Sequence, residues 1–180
     1  DFNDLHKYGY NLSYETHEYQ GNVSEDAEFN EKCSRAGICR FSAMPSINAI
    51  QGWTNLATNK DCLEQWRRHL AYWARRARNW PCIVAASCGV NLMCPSDNML
   101  PPVLAQRYSG DFNNITRDIN LACAEARKLH PNCLYFSHAD GTQEQSDLSS
   151  SNLYFNFTPL QEREEWLSSW AEKGIRPWYA

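Results

Sequence analysis

The sequence predicts a mainly α, disulfide-linked domain of four or five helices with a minor two-stranded β-ribbon, or an α+β fold if that ribbon is larger. Three observations favour this fold class. Apolar residues recur at helical spacing in several stretches, eight cysteines form no metal-type pair, and strand-like alternation is confined to one short stretch. A chain of 180 residues has the length of one domain, 1–180, that buries most of its apolar surface.

The strongest predicted helix covers residues 61–80. Its apolar residues recur at steps of three and four, which places them on one helical face. They are Leu63, Trp66, Leu70, Trp73, Ala77 and Trp80. Asp61 is predicted to cap the helix together with Glu64, and Pro81 ends it. We expect this helix to be the packing centre of the domain.

Capping and terminating residues bound the other predicted helices. The segments are 25–36, 81–89, 113–130 and a last helix from Thr158 to Gly174. Ser24 is a good capping residue, and Pro81 suits the first position of the short second helix, which Gly89 would end. Pro131 ends the predicted helix at 113–130.

The remaining segments are predicted to be extended or irregular. Residues 1–23 should form an irregular arm packed on the helical body, and residues 39–59 a buried connection. Residues 94–102 should form a stiff loop that ends in two prolines. The segments 133–136 and 153–158 are predicted to pair as the two-stranded ribbon, because the second alternates apolar and polar residues.

Cysteines and glycosylation sequons together predict a secreted or extracellular glycoprotein. The cysteines expected to form disulfides are Cys33, Cys39, Cys62, Cys82, Cys88, Cys94, Cys123 and Cys133, with no pairing favoured. The sequons lie at Asn11, Asn22, Asn114 and Asn156. A signal peptide is expected to have been removed, since the chain opens on polar residues.

The overall charge and the length of the apolar runs argue against a nucleic-acid partner and against a membrane span. A net charge of −4 and a pI near 5.7 disfavour a nucleic-acid-binding domain. No run of 18 apolar residues occurs, so we expect no membrane span in this chain. An extracellular protein or glycan is the expected partner.

A basic helix face and exposed aromatic side chains are the predicted binding residues. These are Arg67, Arg68, Arg75, Arg76, Tyr8, Tyr10, Trp178 and Tyr179. Guanidinium groups bind phosphate, sulfate and carboxylate, and aromatic rings stack on sugars and on protein partners. The alternatives are a solvated helix face paired with acidic groups of the same chain, and aromatic residues that simply fill the core.

His138 and Asp140 form the sharpest cluster of chemically active side chains. Two residues apart in an extended segment, they would lie on one side and form either a histidine–carboxylate pair or two metal ligands. The alternative is that Asp140-Gly141 is a turn and His138 is solvated. His130 is a further weak candidate for a general base. The sequence contains no CxxC pair, EF-hand loop or GxSxG motif, so no metal or cofactor is predicted.

The favoured function is therefore binding, either as a recognition module or as a non-catalytic subunit of an extracellular complex. One alternative is an extracellular hydrolase with a histidine general base. Another is a carrier of small hydrophobic ligands, which would need a closed cavity between the helices.

Overall fold

The computed structural model gives the chain an α/β fold built on a parallel sheet. The described residues are 2–14, 23–47, 55–92 and 113–151, with positions 160, 168, 171–172 and 177–179. The helices are α1 (Phe2–Lys7), α2 (Val23–Ala36), α3 (Lys60–Ala77) and α4 (Asn113–Leu129). The strands are β1 (Leu12–Tyr14), β2 (Cys39–Ala43), β3 (Ile83–Val90), β4 (Leu134–His138), β5 (Ser149–Ser150) and β6 (Trp178–Tyr179).

Four strands form a parallel sheet in the order in which they occur in the chain, β1-β2-β3-β4. Phe41 lies opposite Ala85, and Ser87 lies opposite Phe136. The helices α2, α3 and α4 each connect two parallel strands that are adjacent in the sheet. Such connections are right-handed, and all three run in the same direction across the sheet, so the three helices lie on the same face. The two-residue strands β5 and β6 make a separate parallel pair.

The face covered by the helices contains the main core. Ala86 of β3 and Tyr135 of β4 belong to it, together with buried residues of α2, α3 and α4. Trp66 of α3 is completely buried, and its indole N–H donates a hydrogen bond of 2.9 Å to the Pro45 carbonyl. This bond fixes α3 to the segment that follows β2.

The opposite face of the sheet carries a smaller apolar cluster. Ala85 and Phe136 alternate with the residues that face the helices, and they pack with Leu148. Tyr14 and Phe41 lie against this cluster and are partly buried. Strand β3 is therefore buried on both sides, which is the usual position of a central strand in a parallel sheet.

The predicted fold class was wrong, because the chain forms an α/β fold and not a mainly α bundle. The predicted helix at 81–89 is β3, and the predicted connection at 39–59 contains β2. The predicted arm at 1–23 contains α1 and β1. A strand buried on both faces lacks polar alternation, so its apolar run resembles a buried helix in sequence.

The predicted ribbon is also not formed as expected. Residues 133–136 overlap β4, but β4 pairs in parallel with β3. Residues 153–158, the loop at 94–102 and most of the last predicted helix lie outside the described residues. Of that helix, the positions described as helical are Leu160, Ser168, Ala171 and Glu172.

The three longer helices were predicted correctly within a few residues. The inward face predicted for α3 is confirmed, since Trp66, Leu70, Trp73 and Ala77 are buried. Its cap differs from the prediction: the side chain of Asn59, and not Asp61, accepts the Cys62 N–H at 3.1 Å.

Candidate functional site at the carboxyl edge of the sheet

The carboxyl ends of β2, β3 and β4 meet at one edge of the sheet because these strands are parallel. Ligands of open α/β sheets bind outside this edge. At the end of β4 the chain places Ser137, His138 and Asp140, and at the end of β3 it places Ser87 and Asn91. His138 and Asp140, which the sequence predicts to act together, therefore both lie at the edge where α/β proteins bind ligands.

Hydrogen bonds tie the end of β4 to the end of β3. The backbone N–H of His138 donates to Ser87 Oγ at 3.2 Å, and the N–H of Asn91 donates to the His138 carbonyl at 3.0 Å. Ser87 Oγ itself donates to the Gly89 carbonyl at 2.7 Å. Because the Ser87 hydroxyl is buried and both accepts and donates, it acts as a fixed bridge between the strands.

A left-handed residue turns the chain at the end of β4. Ala139 has φ of 61°, a conformation that costs a non-glycine residue about 1–2 kcal/mol. Its N–H donates to Ser150 Oγ at 3.1 Å, which fixes the turn. Asn91, at the end of β3, also has a positive φ of 52°. Both neighbouring strands thus end in backbone conformations that cluster at functional sites.

The turn at Ala139 brings the Asp140 carboxylate back to its own strand. Asp140 is completely buried, and its Oδ2 accepts a hydrogen bond of 2.5 Å from Ser137 Oγ. The Asp140 carbonyl accepts from Gln143 Nε2 at 2.7 Å. A typical hydrogen bond contributes about 0.5–1.5 kcal/mol, which is comparable with the strain at Ala139.

Gly89 leaves the space that this arrangement needs. A Cβ at position 89 would lie 2.3 Å from Leu92 Cδ1 and 2.8 Å from Ser137 Oγ, and both distances are shorter than real Cβ contacts. Any larger residue at Gly89 would therefore require the Leu92 side chain and the Ser137 hydroxyl to move.

The polar segment after Asp140 folds against the edge as a compact, internally bonded unit. Ser146 Oγ accepts the Gln143 N–H at 2.9 Å, and Gly141 and Ser150 form an antiparallel bridge. Arg127 of α4 binds the Asp147 carboxylate at 2.8 Å. Six polar residues of this segment are buried. They are Asp140, Gln143, Ser146, Ser149, Ser150 and Ser151.

Aromatic rings hold the imidazole of His138 on the sheet face opposite α2, α3 and α4. The His138 ring stacks on Tyr14, with centroids 5.1 Å apart and an angle of 23° between the planes. Phe136 lies 6.4 Å from Tyr14 and 5.6 Å from Phe41, measured between ring centroids. His138 is half-buried, and its Nδ1 atom is shielded from solvent by these neighbours.

His130 is not brought to this edge. It precedes β4 and so lies at the opposite, amino end of that strand, with its ring 6.2 Å from that of Trp73. Its carbonyl accepts the Tyr135 hydroxyl at 2.7 Å. Burial, and secondarily the charge of Arg78, lowers the pKa of His130 below its usual value. His130 is therefore a neutral core histidine rather than a partner of His138.

The predicted basic face is partly neutralised by acidic residues of the same chain. Arg67 donates to Glu125 at 3.0 Å and to Glu64 at 2.6 Å, and these hydrogen bonds raise its pKa. Arg76 lies over the ring of Tyr72, 5.5 Å from its centroid. Arg68 and Arg75 are exposed.

The predicted aromatic binding residues belong to two different parts of the chain. Tyr8 and Tyr10 follow α1 and are strongly exposed, at 74% and 60%. Trp178 and Tyr179 form β6, which pairs with β5 beside the polar segment of the site. This position of β6 next to the carboxyl edge was not foreseen.

The described residues contain no group of three or more histidine, cysteine, aspartate or glutamate side chains arranged to hold a metal ion. Within the same part of the chain, no helix combines the length and apolar character needed to cross a membrane.

Sequence reasoning missed Ser87, Ser137, Gly89 and Tyr14. Each acquires its role from the sheet: Ser87 and Gly89 from the position of β3, and Tyr14 from the ring contact that it makes with His138. The only available signal was the Ser-Cys-Gly run that closes the apolar stretch of β3.

The position of His130 predicts a pH-dependent stability. Its folded pKa is lowered from 6.5, so the unfolded chain binds the proton more readily. The free energy of unfolding should therefore fall as the pH drops below about 6.5, and level off once the folded state also protonates. Urea unfolding of wild type and His130→Gln between pH 7.5 and 5 measures this. The stability difference between the two proteins should change with pH, and a constant difference would contradict the assignment.

No protein-family model matches the chain, and a comparison with curated proteins finds no significant relative. The functional conclusion must therefore come from the geometry of the carboxyl edge.

Proposed function

We propose that the chain is a hydrolase whose active site lies at the carboxyl edge of the parallel sheet, with His138 as the general base. One observation supports this above the others: a strained turn at Ala139 fixes a half-buried imidazole at the edge where α/β proteins bind ligands. Histidine is the side chain best suited to accept and return a proton near neutral pH.

The proposed reaction is attack of water on an ester. The His138 imidazole takes a proton from a water molecule while the oxygen of that water forms a bond to the carbonyl carbon of the ester. The imidazolium then gives that proton to the alkoxide that leaves when the ester bond breaks. Stacking on Tyr14 restricts the orientation of the imidazole. Ser87 is not the nucleophile in this scheme, because its hydroxyl is buried and bridges β3 and β4.

Asp140 acts in this proposal as a positioning residue. Its buried carboxylate and the Ser137 hydroxyl close the turn that follows His138. The carboxylate thereby sets the backbone direction from which the imidazole projects.

Substitution of His138 tests the proposal directly. With p-nitrophenyl butyrate as the probe, wild type should show saturable hydrolysis, and His138→Gln should lower kcat by about 100-fold or more, the usual loss for a general base. Glutamine keeps a polar side chain of similar length, so thermal unfolding should show that the variant remains folded.

The matched control is His69→Gln, which removes an exposed histidine from α3. Free imidazole groups hydrolyse activated esters slowly and without saturation, so this control separates site chemistry from background. No saturable hydrolysis by wild type, or equal rates for wild type and His138→Gln, would contradict the proposal.

A second candidate function is glycan binding by the exposed tyrosines after α1. Tyr8 and Tyr10 keep 74% and 60% of their surface exposed, and tyrosine rings stack on sugar rings. Tyr8→Ser with Tyr10→Ser should abolish any signal that wild type gives on a glycan array. Tyr72→Ser removes another partly exposed tyrosine and is the control. A signal that survives the double substitution would exclude this surface.

We also propose that the protein is secreted and carries N-linked glycans at Asn11 and Asn114. Both asparagines are exposed, and Asn114 lies in the first turn of α4. Enzymatic removal of N-glycans from protein made in secreting animal cells should lower its mass and convert both asparagines to aspartate. Unmodified Asn11 and Asn114 in that protein would contradict the assignment.

A further inference from the structure

Two buried thiols face each other across the boundary between the sheet and α4. Cys88 of β3 and Cys123 of α4 have their Sγ atoms 3.9 Å apart, and neither residue has any exposed surface. Both belong to the main core.

We propose that Cys88 and Cys123 are joined by a disulfide bond when the protein folds under oxidising conditions. A disulfide has an S–S length of about 2.05 Å, so each sulfur needs to move by roughly 1 Å. The eight cysteines alone do not identify this pairing, because they allow 105 combinations. The pairing does not depend on hydrolysis at the carboxyl edge.

The chemistry requires a disulfide as oxidant, for which oxidised glutathione is the probe. The thiolate of one cysteine attacks a sulfur of oxidised glutathione, forms a mixed disulfide and releases one glutathione thiolate. The second cysteine, after losing its proton, attacks the protein sulfur of that mixed disulfide and releases the second glutathione thiolate. Two protein thiols are thus oxidised, and one oxidised glutathione is reduced to two thiols.

Burial determines when this reaction takes place. The neighbouring Cys123 thiol, together with burial, raises the pKa of Cys88 well above its usual value, so little of the reactive thiolate exists in the folded protein. The oxidant also has no route to two sulfurs without exposed surface. The bond must therefore form before the core closes, and the folded protein retains the redox state in which it folded.

The experiment compares two refolding conditions by mass spectrometry. Reduced, unfolded protein is refolded with a mixture of reduced and oxidised glutathione, remaining thiols are alkylated, and the protein is digested with trypsin without reduction. Cys123 lies in the tryptic peptide 118–127, and Cys88 lies in 79–107 together with Cys82 and Cys94. Most of peptide 118–127 should be recovered linked to 79–107, with fragment ions that place the link at Cys88.

Matched variants identify the partner within the larger peptide. Cys82→Ser removes another buried cysteine next to β3 and should keep the link, whereas Cys88→Ser should abolish it. Should Cys88→Ser fail to fold, the fragment ions of wild type still locate the bond. Alkylated Cys123 after oxidative refolding, or a link from Cys123 to Cys82 or Cys94, would overturn the pairing.

A second arm tests the role of burial. Protein refolded with reductant and then exposed to oxidised glutathione in its native state should show no link between the same peptides after several hours. Rapid formation of the link in native protein would contradict the conclusion that the bond must precede closure of the core.

Discussion

The burial of β3 on both faces is the constraint on which the rest of the structure depends. A strand removed from water needs partners for its backbone groups, and β3 pairs with β2 on one side and with β4 on the other. The pairing extends beyond β2, since Met44 and Ile47 donate to the Ser87 and Cys88 carbonyls at 3.1 and 2.9 Å. The long helices then have one face of the sheet to cover, and the carboxyl edge is fixed by the same hydrogen bonds.

The carboxyl edge combines local strain with a dense hydrogen-bond network. The left-handed Ala139 is unfavourable by itself, but its N–H bond to Ser150 and the Ser137–Asp140 bond hold it in place. Most of these groups are buried, so the loss of one partner would leave a desolvated polar atom at a cost of about 1–3 kcal/mol. Strain maintained in this way gives a rigid edge, and rigidity is what a positioned histidine requires.

The sequence predicts the parts of this fold whose signals are local. The spacing of Trp66, Leu70 and Trp73 is enough to define α3 and its inner face, and the motif of His138 and Asp140 marks the region of the candidate site. The parallel sheet was missed because β3 is apolar on both faces and begins after Pro81, which also suits a helix start. Strand pairing is a long-range property. Without it, neither the bridging role of Ser87 nor the contact between Tyr14 and His138 can be inferred.

Three consecutive residues of β3 connect the core to the candidate site. Ser87 bonds to the backbone of His138, Cys88 faces α4 on the opposite side of the strand, and Gly89 leaves room for Ser137. Successive side chains of a strand point to opposite faces of the sheet, which explains why Ser87 and its neighbour Cys88 contact different parts of the molecule. Any change that moves the Cys88 backbone therefore acts on the Ser87 bridge one residue away. The packing of α4 and the orientation of His138 are linked through this short segment, although α4 itself contributes none of the residues that hold the imidazole.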